Sequence, residues 1–86
     1  MRTNTEKYII RKFDNETLLL DVESGTSHIL DDVATLMFDY FEKYEKKEVV
    51  LEHLFDYFSN EIKATIEQDY NNFLHELIEK GIVICD

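Results

Sequence analysis

The apolar residues of this chain change their spacing once, near residue 31, and that change limits what the chain can fold into. Before it, short runs rich in β-branched and aromatic residues are separated by turn residues. After it, large apolar residues recur at steps of three and four almost to the end. Strands first and helices second specify an α+β domain, with helices covering one face of a small antiparallel sheet.

Residues 8–13, YIIRKF, read as the first strand, and Asp14-Asn15-Glu16 supplies turn chemistry. Residues 17–22, TLLLDV, read as the second strand. Its three consecutive leucines fit burial on both faces or a helix of similar length, and the flanking turns favour the doubly buried strand. Glu23-Ser24-Gly25-Thr26 is another turn, with Gly25 free to take positive φ. Residues 27–30, SHIL, form a short third strand, so the tight connections imply a three-stranded antiparallel meander.

Asp31 or Asp32 then caps a helix carrying Val33, Leu36, Met37, Tyr40, Phe41 and Tyr44 on one stripe. A charged break at 45–48 precedes a second helix, with Val50, Leu51, Leu54, Phe55 and Phe58, which Ser59-Asn60 ends. The third helix spans 62–80 and sets Ile62, Ile66, Tyr70, Phe73, Leu74, Leu77 and Ile78 in helical period. Lys80 suits the negative end of its dipole, and Gly81 the left-handed position after it. The tail, Ile82-Val83-Ile84-Cys85, reads either as a strand or as a plug into the core. A single domain over 8–85 follows, with 1–7 polar and flexible.

With 19 Asp and Glu against 9 Lys and Arg, the formal net charge is -10, which phosphate backbones and anionic lipid surfaces repel. Neither nucleic acid nor membrane is therefore expected as a partner. The lone Cys85 permits no internal disulfide, and no long apolar run occurs, so a cytoplasmic location is expected.

No catalytic constellation emerges. The glycines, Gly25 and Gly81, are isolated and cannot cradle phosphate. His28, His53 and His75 fall on different elements, so neither a metal nor another cofactor is expected. Most carboxylates fall on polar helix faces. Asp69 and Glu76 differ, because both project beside Phe73 at the edge of the apolar stripe and are placed to line a groove.

Two blocks resemble the PqqD-like family. The first is Leu18-Leu19-Leu20-Asp21-Val22-Glu23-Ser24-Gly25-Thr26-Ser27-His28-Ile29-Leu30 with Val33-Ala34 and Met37-Phe38. The second is Ile66, Asp69-Tyr70, Phe73-Leu74, Leu77 and Gly81-Ile82-Val83. The resemblance implies a winged helix-turn-helix-like fold. It also implies a non-catalytic recognition element of ribosomal peptide modification, which captures the leader of a precursor peptide and presents it to a modifying enzyme of radical, protease or cyclase type. In the family the leader adds as a strand beside the last helix. Here that implies a peptide-binding edge of Ser27, His28, Ile29 and Leu30, facing a wall of Asp69, Phe73, Glu76 and Leu77. Where the family carries paired aromatics in the third strand, this chain has His28 and Ile29, and Phe38 stands where a Trp is frequent.

Two other readings remain. One is an acidic protein–protein adaptor, the other a winged-helix regulator outside peptide maturation. Residues 66–76 of the third helix hold no Lys or Arg, which disfavours a DNA-reading helix. An open strand edge is compatible with a monomer or a homodimer.

Overall fold

The computed structural model describes residues 1–85. Its elements run β1 (Arg2–Thr3), β2 (Tyr8–Phe13), β3 (Glu16–Asp21), β4 (Ser27–Leu30), α1 (Asp32–Lys43), α2 (Lys47–Tyr57), α3 (Lys63–Glu79) and β5 (Val83–Ile84). Strands β2, β3 and β4 form an antiparallel sheet in that order, with Leu19 opposite Ile10 on one side and His28 on the other. The architecture is the expected α+β one, a meander followed by three helices.

Each reversal has a local cause. Asp14 takes φ 46°, a left-handed conformation that a short polar side chain tolerates. At the next turn, Asp21 Oδ1 accepts from the backbone N–H of Glu23 (2.9 Å) and of Ser24 (3.3 Å). Burial pushes the Asp21 carboxyl up, but those N–H groups, the Ser24 hydroxyl and Lys7 together hold it below the usual carboxylate range.

Alternation along β3 is strict, contrary to the expectation of burial on both faces. Thr17, Leu19 and Asp21 are buried, while Leu18 and Leu20 are only half-buried. The helices pack on one face of the sheet alone, so the second face stays open. On the covered face, Tyr8 and Leu19 join Phe38, Leu54, Tyr70 and Leu77 in one core. Each such side chain contributes about 1.5–3 kcal/mol through burial.

Asp31 is the cap of α1, its Oδ1 accepting from Ala34 N–H at 2.8 Å. The break after α1 is shorter than the charge pattern suggests, because Lys47 and Glu48 already belong to α2; both are good helix formers. The Tyr44 ring stacks on His53 at 4.2 Å and 8°, joining the end of α1 to α2. A buried hydroxyl pair ties α1 to the sheet. Thr35 Oγ1 donates to Leu30 O (3.2 Å), so Thr17 Oγ1 donates to Thr35 Oγ1 (2.9 Å).

Helix α3 ends in a Schellman turn. Gly81 lies at φ 75°, its N–H donates to Ile78 O (3.0 Å), and Ile82 N–H donates to Leu77 O (2.9 Å). The tail is both strand and plug, for Ile82 and Val83 are 1% and 2% exposed while Val83–Ile84 form β5. Within residues 1–7, read from the sequence as flexible, the structure places a short strand. Arg2–Thr3 pair antiparallel with β5, and Asn4 N–H donates to Ile82 O at 2.8 Å. The reason is that a buried tail needs partners for its backbone, and the polar N-terminal segment supplies them. Among the described residues no helix is long and apolar enough to cross a membrane.

Thr35→Val leaves the fully buried Thr17 hydroxyl without its acceptor and lowers stability in urea unfolding by about 1–3 kcal/mol. Thr17→Val combined with Thr35→Val recovers part of that loss, because no unpaired hydroxyl then remains. For Asp21 the folded-state value is the depressed one. Its contribution is present above the unfolded value near ~3.9 and is lost as pH falls through the folded value. Asp21→Asn therefore gives acid-unfolding curves that are flatter below about pH 4.

Candidate peptide groove

Strand β4 lies at the sheet border, and among the described residues no strand covers its far side. Which of its backbone groups face outward follows from the ladder. Asp21 N–H donates to Thr26 O (2.9 Å), which makes these residues a hydrogen-bonded pair. In an antiparallel ladder such pairs alternate, so the next ones are Leu19–His28 and Thr17–Leu30. His28 and Leu30 thus direct their N–H and C=O groups toward β3. Ser27 and Ile29 direct theirs outward.

The outward edge opens into a groove of about 440 Å3. Ser27, His28, Ile29 and Leu30 form one bank, continued by Asp31 and by Ala34 of α1. Phe73, Glu76, Leu77 and Lys80 form the other, with Ile82 also lining it. These α3 residues follow a three- and four-residue step, so one helical stripe builds the wall. Phe73 and Leu77 are 8% and 2% exposed and form its apolar part. His28 and Leu30 are half-buried and face the helices, whereas Ser27 and Ile29 are exposed.

Charge in the groove is mixed. Glu76 Oε1 lies 3.1 Å from Lys80 Nζ, so a cation already accompanies the Glu76 carboxylate. Asp31 is engaged in capping α1.

Asp69 is not brought into this groove. It lines a separate cavity of about 230 Å3 with Val33, Met37, Leu54, Phe58, Glu61 and Ile66. The reason is length. From Lys80 back to Asp69 the helix rises about 16 Å, whereas a four-residue strand such as β4 spans about 13 Å. One turn beyond Phe73, α3 has passed the strand and faces α1 and α2. Conversely, sequence reasoning did not assign Lys80 to the wall, although it lies seven residues after Phe73 on the same stripe. The contributions of Ala34 and Ile82 had no comparable periodic signal, because each comes from an element whose position depends on tertiary packing.

A larger cavity of about 510 Å3 is bounded by β1, Phe41 and Tyr44, and by Tyr70 and Leu74 of α3. Its strand, β1, is only two residues long. Among the described residues, no cluster of His, Cys, Asp and Glu side chains is arranged to hold a metal ion.

Comparison with known proteins agrees with this architecture. A solved chain described as TbiB1 in complex with the TbiA(beta) leader peptide superposes with a TM-score of 0.85, over 100% of both chains, at 24% sequence identity. That likeness establishes the fold. No curated protein matches the chain. Residues 16–83, from the second strand of the meander to the buried tail, match the family model described as Coenzyme PQQ synthesis protein D (PqqD). The chain belongs to the PqqD family.

Proposed function

We propose that this chain is a non-catalytic module that captures the leader segment of a precursor peptide and presents it to a modifying enzyme. The observation that carries this reading is the outward edge of β4, whose unpaired backbone groups open beside an apolar helix wall. An added strand satisfies the N–H and C=O groups of Ser27 and Ile29, and its alternate side chains meet Phe73 and Leu77. The leader peptide carried by the structurally similar TbiB1 supports the same reading.

The magnitudes suit a reversible carrier. A few backbone hydrogen bonds at about 0.5–1.5 kcal/mol each and one or two apolar anchors at about 1.5–3 kcal/mol are offset by ordering of the peptide. Micromolar binding, about -8 kcal/mol, is expected. The enzyme served is of radical, protease or cyclase type, as the family resemblance implies. The single, exposed Cys85 suits a reducing compartment such as the cytoplasm. Glu76 gives the groove a preference for a peptide bearing Lys or Arg, moderated by Lys80.

Ile29→Pro tests strand addition directly. The Ile29 N–H faces away from β3, so proline there preserves the ladder while removing a donor to the guest. Titration with the leader encoded beside the gene should show affinity reduced by at least about tenfold, with an unchanged melting profile, whereas Ile29→Val should bind normally. Equal affinity of Ile29→Pro and wild type excludes strand addition at this edge. Glu76→Ala should weaken binding of a basic leader by about threefold at low salt and less at high salt, with a smaller effect of Asp69→Ala.

A further inference from the structure

The sheet has a second face, which meets the peptide groove only along the β4 edge at Ser27 and Ile29. In the ladder, Ile9 stands opposite Leu20 and Ile29 opposite Leu18, and these residues point away from the helices together with Phe13. Ile9, Phe13 and Ile29 are 39%, 58% and 68% exposed. Within the strands, the ionisable groups in this alternation are Arg11 and Glu16, whose charges cancel. A chain with net charge -10 therefore carries an apolar face with no net charge across one side of its sheet. Ile9, Leu20, Leu18 and Ile29 adjoin across the strands, while Phe13 lies between Arg11 and Glu16, and exposed apolar residues grouped on one face in this way mark contact with another macromolecule.

We propose that this outer face docks the enzyme that acts on the captured peptide, through an apolar contact surface bordered by cations. The inference rests on the peptide-capture reading. Two observations select this occupant. The first is charge. Asp14 and Glu23 occupy the turns at the two ends of the sheet, and the chain as a whole is strongly acidic. A second copy would bring two such polyanions to a sheet-to-sheet spacing of about 10 Å, near one Debye length at about 0.1 M salt. A basic-rimmed partner is attracted instead. The second is continuity. A guest strand on β4 widens the same sheet, so its alternate side chains emerge on the outer face beside Ile29. A protein lying on that face touches sheet and guest together, which an enzyme acting on the guest requires and an unrelated partner does not.

The test uses the full chain, its leader peptide and the purified modifying enzyme encoded beside the precursor. In Ile9→Thr/Phe13→Thr, leader affinity should stay within about twofold while enzyme affinity falls at least about tenfold and modification of the full precursor slows. Glu16→Lys, an exposed substitution opposite Phe13, gives a second reading if the double variant does not fold. It should weaken docking, with an effect that shrinks between about 50 mM and about 300 mM salt. Intact leader binding with unaltered enzyme docking in folded variants overturns the proposal. So does a wild-type dimer that Phe13→Thr converts to a monomer, because a second copy then covers the face. Failure of the wild-type chain to bind any leader overturns the capture reading, and this inference with it.

Discussion

The position of α3 relative to β4 is held from the end of the helix. Its last turn closes on Gly81 in the left-handed region, and the released carbonyls find partners. Lys80 O accepts from the Tyr8 hydroxyl at 2.8 Å, and Gly81 O from Asn4 Nδ2 at 3.3 Å. The beginning of the chain thus grips the end of the helix. Beyond it, β1 pairs with β5 and seals Val83. This grip sets α3 apart from the open edge instead of against it. The space between them is the groove.

Thr17 and Thr35 hold the opposite bank. Their bonded hydroxyls, with the Thr35 bond to Leu30 O, lock α1 to the strand that forms the edge. A groove built in this way has two banks, each tied to the rest of the chain by polar bonds. In the proposed mode of capture, adding a strand to it would require ordering of the guest and little of the host, which favours binding.

Much of this was legible in the sequence, because it depends on local period. The meander, the helices, an aspartate cap at 31 or 32 and the Gly81 stop each follow from residue types within one or two turns. What escaped depends on long-range partners. No pattern in residues 1–7 reveals that a tail more than seventy positions away needs its backbone satisfied. The triple leucine of β3 resembles a doubly buried strand until the absence of a helix on the outer face is seen. Nothing in the sequence pairs Thr17 with Thr35, which lie on a strand and a helix that only the fold brings together. For the site, Phe73, Glu76 and Leu77 share a stripe that periodicity reveals. Asp69 shares it too, but periodicity alone does not say where the facing strand ends.

The brevity of β4 has a consequence for what this protein can discriminate. Within β4 only Ser27 and Ile29 offer backbone groups outward, so in the proposed mode of capture the main chain of a guest would be gripped over a single pair of steps. Sliding a bound ribbon by two residues keeps those bonds and the same facing of its side chains. Backbone pairing of that kind would recognise extendedness, and the choice of frame would fall to whichever bulky residue best settles against Phe73 and Leu77. Such a reader would accept many spellings of one short phrase, with its selectivity resting on one or two letters.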